Sequence, residues 1–189
     1  LQKLPVHFLV GSAHKFYGIK GIGVLLKDEN TNIKPLIHGG KSTTNYRSGT
    51  PAPALIASLA KALRLINENS ESKYNHVLEL NRYLQSKLAV YDKVFINSND
   101  KCIPHILNIS VLGVKPETML HALEHYDIFI STQSACSSSN TTSKAVLAFT
   151  NDEARAESSV RISLSYLTTK EDINYLLECF DKCYKELVK

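Results

Sequence analysis

Residues 6–15 read VHFLVGSAHK, an apolar run that ends in a serine, a histidine and a lysine. An apolar run of this length is typical of a buried strand, and the glycines at positions 18 and 21 indicate a loop after it. At the end of a buried strand, the amine of Lys15 is expected to be partly desolvated and able to attack a carbonyl group. A solvated loop lysine is the plain alternative, and these residues alone do not distinguish the two.

The composition is that of a globular protein and excludes several functional classes. The 189 residues suffice for one large or two small domains. The net charge of +4 is not concentrated in a Lys/Arg block, so nucleic-acid binding is not expected, and no apolar run is long enough to span a membrane. The four cysteines show no disulfide framework, which favours a reduced, cytoplasmic location. Because the chain begins at Leu1 without an initiating Met, we expect it to be part of a longer protein.

Apolar periodicity predicts strands that alternate with helices, which is typical of an α/β or α+β arrangement. The strands are expected at 6–10, 22–26, 94–96, 105–111, 128–130 and 160–164, and the helices at 54–66, 72–90, 116–126 and from about 169 to the C-terminus. Residues 131–142 are almost all small and polar, which is typical of a mobile loop. The polar break at 67–72 divides the chain, so we expect one domain over 1–68 and a second over 69–189.

Four short motifs follow one another along the chain: SAHK at 12–15, RSGT at 47–50, SACSS at 134–138 and SSVRISL at 158–164. Each is weak alone, but their order and spacing resemble the C-terminal half of the cysteine desulfurases. These are pyridoxal 5'-phosphate enzymes of the class V aminotransferase superfamily, here of its NifS- and IscS-like branch. The resemblance covers the full chain and implies an α/β protein of the fold-type I transferases. Residues 1–68 would then complete the large cofactor domain, and 69–189 would form the small domain.

The resemblance implies a cofactor site in the first domain. Lys15 matches the lysine that binds pyridoxal phosphate covalently, and Ser12 and His14 match positions near the phosphate group. A hydroxyl and a ring N–H are suitable hydrogen-bond donors for that group. Thr50 matches a phosphate contact that the partner subunit supplies in this family, so a homodimer is expected. A helix cap ahead of Pro51 is a second role that Thr50 could have at the same time.

The resemblance also implies two residues that act on the substrate, L-cysteine. Cys136 matches the catalytic cysteine, which takes the sulfur atom, becomes a persulfide and leaves alanine behind. Arg161 matches the arginine that binds the substrate carboxylate, and an arginine in an apolar strand needs a partner in any case. Cys102, Cys179 and Cys183 lack the serine-rich setting of Cys136. The last two lie four residues apart on the final helix among apolar residues, which favours core packing.

The matched region lacks part of the active site that the family uses. In family members, a histidine stacked on the cofactor ring and an aspartate paired with its pyridine nitrogen lie upstream. We therefore expect the 189-residue chain to be inactive by itself. The loop GGKSTT at 39–44 also lacks the acidic residue that is common in the family. A scaffold or sulfur-acceptor protein is the expected partner, for iron–sulfur cluster assembly, tRNA thiolation or another pathway.

Three other functions stay open. The sequence HALEH at 121–125 matches an inverted zinc-peptidase motif formed by His121, Glu124 and His125. An exposed helix face explains the same residues, and we expect no metal. Within the enzyme class, the nearest alternative is a selenocysteine lyase or another class V aminotransferase relative. The third alternative is a non-catalytic module that binds a sulfur acceptor or scaffold protein.

Overall fold

The computed structural model of the protein describes residues 5–41, 44–132 and 142–188. It divides into two compact units, residues 1–70 and 71–189. The sequence places the boundary after residue 68, in the short break between helix α1 (Pro53–Asn67) and helix α2 (Ser70–Leu88). Among the described residues, no helix is long and apolar enough to cross a membrane.

The first unit contains a β-hairpin. Strand β1 (Phe8–Ser12) pairs antiparallel with β2 (Gly23–Lys27), and a 3₁₀ helix, Ala13–Phe16, follows β1 directly. Both strands start one or two residues later than the apolar pattern predicts. Helix α1 makes its main contact in this unit with the 3₁₀ helix.

The expected burial of the first strand is wrong for the described chain. Val10 is 77% exposed, and Phe8 and Leu9 are exposed as well. The reason is geometric, because a two-stranded ribbon cannot cover its own faces and needs a second layer for that. Among the described residues of this unit, only Ala13 and Ala62 are buried apolar side chains.

The second unit is built on a three-stranded antiparallel sheet. Its strands are β3 (Val94–Ile96), β4 (Ile106–Val111) and β5 (Ser159–Ser163), in the order β3-β4-β5. Side chains alternate across the sheet, so Leu107 and Ile109 of β4 point to one face and are fully buried. Beyond β5, Ser131 forms a single antiparallel bridge with Arg161.

Helices cover one face of this sheet and form the core with it. They are α2, α3 (Pro116–Glu124) and α6 (Lys170–Leu187). Thr169 and Asp172 start α6 with a reciprocal capping box. Cys179 and Cys183 are free thiols buried in the core, which confirms their predicted role.

Two short helices near the other face of the sheet were not predicted. They are α4 (Lys144–Thr150) and α5 (Glu153–Glu157), and each begins with a side-chain cap, from Ser143 and Asp152 respectively. Helix α5 contacts β4. Their apolar periodicity is too short to stand out in the sequence. Residues 133–141 of the predicted serine-rich loop lie outside the described residues.

The strand predicted at 128–130 is absent from the structure. Asp127 takes a left-handed conformation, with φ of 57°, and the N–H of Ile128 donates to the carbonyl of Leu123 at 3.2 Å. These residues thus belong to a turn that closes α3, which ends at Glu124 rather than near Tyr126. Phe129 is 75% exposed, and pairing with β5 begins only at Ser131.

Candidate functional site

The turn after β1 presents three polar side chains on the surface. Ser12, His14 and Lys15 are exposed, whereas Ala13 between them is fully buried. The N–H of Ala13 donates to the carbonyl of Ile22 at 3.1 Å, and its carbonyl accepts from the N–H of Gly18 at 2.8 Å. The backbone of the turn is therefore fixed while its hydroxyl, imidazole and amine are available to a ligand.

Close packing explains why the turn needs its glycine. A Cβ atom on Gly18 would lie 2.8 Å from the Cβ of Ala13 and 3.0 Å from its carbonyl oxygen. Tyr17, which precedes this glycine, reverses the chain in a left-handed conformation with φ of 67°. A larger residue at position 18 would push the turn open, so glycine is required here by the close approach of the backbone to Ala13.

The structure does not bury Lys15. The desolvation expected at the end of a buried strand is therefore wrong for the described chain, because β1 itself is exposed. The set of side chains still fits pyridoxal phosphate chemically, since Ser12 and His14 can donate to a phosphate and Lys15 can react with an aldehyde.

Thr50 is exposed and does not cap the following helix. The N-cap of α1 is Ala52, Pro53 is its first residue, and no side chain caps it. The predicted capping role is therefore wrong, because the helix starts too late in the chain for Thr50 to reach its first turn. The exposed hydroxyl of Thr50 is compatible with a contact made outside this chain.

Arg161 lies half-buried on β5, and few of its donors have a partner in the described part of the chain. Its Nη2 donates to the Ser131 hydroxyl at 3.2 Å, and its Nε is buried without a hydrogen-bond partner in the described part of the chain. Within residues 5–41, 44–132 and 142–188, no carboxylate forms an ion pair with it. A half-buried guanidinium without an acidic partner among the described residues can bind an anion, and its geometry matches that of a carboxylate.

Arg161 opens into a cavity of about 470 Å³ in the second unit. Thr132 and Ser143, the described residues near the two ends of the segment 133–141, both line it. Cys136, the predicted catalytic residue, belongs to that segment and lies outside the described residues.

Two other residues of the cavity were missed by the sequence interpretation. Cys102 is an exposed free thiol, and Asn108 is half-buried beside Arg161. Sequence offers no signal for either, because both reach the cavity through strand pairing and loop placement rather than through a local motif. The register places Asn108 opposite Arg161.

The zinc-peptidase motif does not form a metal site in the described residues. His121 Nδ1 lies 3.0 Å from Glu124 Oε2 on an exposed surface, and His125 packs its ring edge-on against Tyr126. No group of three His, Cys, Asp or Glu side chains that could hold a metal ion occurs in the parts of the chain that the structure describes. The exposed helix face is the interpretation that fits.

Comparison with known proteins identifies the family. The family model described as aminotransferase class-V matches residues 1–176. This chain belongs to the class V aminotransferase family, and the structure shares its fold. Its relatives within that family include proteins named as NifS- and IscS-type cysteine desulfurases.

Three similar proteins illustrate the match. A NifS/IcsS protein homolog of Lactobacillus delbrueckii subsp. bulgaricus is 36% identical over 94% of this chain and 47% of its own length. A cysteine desulfurase IscS of Dictyoglomus turgidum is 35% identical over 99% of this chain and 48% of its own. A solved NifS-like protein superposes with a TM-score of 0.87 at 30% identity, over 99% of this chain and 48% of that one. The chain thus spans about half the length of the curated relatives it matches.

Proposed function

We propose that the complete protein is a pyridoxal phosphate-dependent cysteine desulfurase, which converts L-cysteine to alanine and retains the sulfur as a persulfide on Cys136. One observation carries the proposal. Arg161, which forms no ion pair with a carboxylate among the described residues, lines a cavity together with Thr132 and Ser143, and the segment between those two residues contains Cys136. A carboxylate site and a thiol-bearing segment are what a desulfurase of free cysteine requires.

The turn at residues 12–15 would hold the cofactor. Lys15 would bind the aldehyde, and the Ser12 hydroxyl and His14 ring would donate hydrogen bonds to the phosphate. Thr50 would reach the phosphate of the partner subunit, so each active site would need a homodimer. When bound, pyridoxal phosphate supplies an electron sink for the amino-acid substrate.

The remaining chemistry would rest on Arg161 and Cys136. Arg161 orients the amino acid by binding its carboxylate through parallel hydrogen bonds, which a lysine could not reproduce. The Cys136 thiolate attacks the substrate sulfur, so a new S–S bond forms while the C–S bond breaks, and a proton replaces the sulfur on carbon to give alanine. The persulfide then passes to a sulfur-acceptor or scaffold protein.

Domain roles and location follow from the same proposal. Residues 1–68 would complete a large cofactor domain and 69–189 would form the small domain that carries Cys136 and Arg161. A cytoplasmic location agrees with the free thiols of Cys102, Cys179 and Cys183.

Replacement of the cysteine tests the proposal directly. In the complete protein, Cys136→Ser should abolish persulfide formation from L-cysteine while the absorbance of the bound cofactor remains. Cys102→Ser is the matched control, because Cys102 is an exposed thiol that lines the same cavity. Persulfide retained in the first variant and lost in the second would reassign the sulfur-accepting residue.

The isolated 189-residue chain provides a second test. It should release no alanine from cysteine, because it covers only about half the length of the cysteine desulfurases that it matches. Mixed with pyridoxal phosphate and L-cysteine, it should behave like its Lys15→Ala variant in an alanine assay. Alanine release above that of the variant would contradict the expectation.

A further inference from the structure

Four polar side chains form a row across one face of the sheet in the second unit. In their order across the sheet they are Asn97, Asn108, Arg161 and Ser131, each from a different segment. Asn97 donates from Nδ2 to Asn108 Oδ1 at 2.6 Å, and Arg161 donates from Nη2 to Ser131 Oγ at 3.2 Å. We call this arrangement the polar row. It lies on the face opposite to Leu107 and Ile109, the core side of β4.

Backbone pairing brings the two middle members together. The backbone N–H and C=O of Arg161 both form hydrogen bonds with the backbone of Ser131. The N–H of Asn108 donates to Ser98 Oγ, and its C=O accepts from the N–H of Asn97. Asn108 and Arg161 are register partners. Because the backbone groups of both residues bond to other segments, the two form a non-hydrogen-bonded pair. In such pairs the Cα atoms approach to about 4.5 Å and the side chains lie close together.

The hydrogen-bond chain fixes which way the amide of Asn108 points. Arg155 donates to Asn97 Oδ1 from Nε at 2.9 Å and from Nη2 at 2.6 Å. Because a guanidinium only donates, this oxygen is the acceptor and Asn97 Nδ2 must be the donor. Asn108 therefore accepts through Oδ1, and its two N–H groups point away from Asn97.

The two middle residues of the polar row thus both carry donors that no described residue uses. Asn108 Nδ2 has no hydrogen-bond partner in the described residues, and both Asn108 and Arg161 line the cavity. Arg161 likewise has unused donors and no acidic partner there. Two neighbouring donors without an acceptor between them suit an anion with two oxygen atoms.

We propose that Asn108 is a second binding residue for the substrate carboxylate, with its Nδ2 donating to one oxygen while Arg161 binds the other. Asn97 and Arg155 are positioning residues, because they hold the amide of Asn108 in the donating orientation. This inference rests on the proposed function in one respect: it takes the carboxylate to be that of an amino acid. It assigns part of the substrate specificity to a residue outside the recognisable motifs.

The test compares two ligands that differ only in the carboxylate, L-alanine and ethylamine, by calorimetric titration of the complete, cofactor-loaded protein. Asn108→Ala should weaken L-alanine binding by about tenfold or more, the usual effect of a lost hydrogen bond to a charged group, and change ethylamine binding less than about twofold. Asn108→Asp keeps the oxygen that accepts from Asn97 but replaces the donor, so it should weaken L-alanine at least as much.

The control is Asn81→Ala, which removes another buried amide of the same unit, bonded to the carbonyl of Pro104 at 2.8 Å. It should lower thermal stability and leave the ratio of the two affinities unchanged. Unchanged L-alanine affinity in both Asn108 variants, equal weakening of the two ligands, or a parent protein that does not prefer L-alanine would each overturn the inference. Persulfide formation by the parent protein from L-cysteine is measured alongside, and its failure would count against the proposed function alone.

Discussion

Replacement of Arg155 by alanine should destabilise the second unit markedly, even though this residue lies on a short surface helix. Its guanidinium donates twice to Asn97 Oδ1 and once to the carbonyl of Ile96 at 2.8 Å, and it lies over the ring of Phe95 at 5.4 Å. Asn97 is only 6% exposed with Arg155 in place, so alanine would remove the donor of a largely buried oxygen.

The magnitude follows from these contacts. Hydrogen bonds to charged groups contribute about 1.5–3 kcal/mol each, and an unsatisfied buried acceptor costs about 1–3 kcal/mol. Because the bonds share one acceptor and are not additive, we expect a loss of about 3 kcal/mol in the free energy of unfolding. With a urea dependence of about 2 kcal/mol per M, the unfolding midpoint should fall by about 1.5 M.

Urea unfolding followed by the near-ultraviolet circular dichroism of the tyrosines measures this change. Arg155→Lys should lie between the parent and the alanine variant, because lysine retains the charge but cannot span both acceptors. Lys182→Ala is the control, since Lys182 is exposed and pairs with Glu178 at 2.7 Å on the surface. Surface pairs of this kind contribute at most about 1 kcal/mol. A midpoint for Arg155→Ala no lower than that of the control would refute the reasoning.

Three further predictions concern the core and its helices. Burial raises the pKa of Tyr91 to about 12, together with the Asp181 carboxylate, which accepts a hydrogen bond from the Tyr91 hydroxyl. An unfolded tyrosine loses its proton near pH 10, whereas folded Tyr91 keeps it to about pH 12, so the free energy of unfolding should fall as the pH rises over this range. Tyr91→Phe removes this contribution and should make the fall in the urea midpoint shallower. Thr169→Ala removes the cap that accepts from the N–H of Asp172 at 3.1 Å and should cost about 1 kcal/mol, whereas the same change at exposed Thr118 should cost less, by thermal unfolding. Leu84 is fully buried, so Leu84→Ala should cost about 2–5 kcal/mol in the same assay, and a loss below about 1 kcal/mol would contradict its place in the core.

Local patterns predicted most of the helices and strands. Proline at position 53 and the capping box at Thr169 fix where α1 and α6 begin, because both act within one turn of the chain. The strand predicted at 128–130 is wrong for the converse reason. Its apolar residues fit a strand locally, but the turn that closes α3 and the bridge between Ser131 and Arg161 decide their conformation.

The sequence by itself determined the order of the motifs around Lys15, Cys136 and Arg161, and with it the class V aminotransferase family. These motifs are contiguous, so they can be recognised without knowing which segments meet. Tertiary structure alone decided that β1 is exposed in this chain and that Asn108 lies beside Arg161. Burial depends on the layer that covers a strand, and strand register depends on pairing between segments 53 residues apart, as in 108 and 161. A short stretch of residues therefore predicts neither the burial of a strand nor its register.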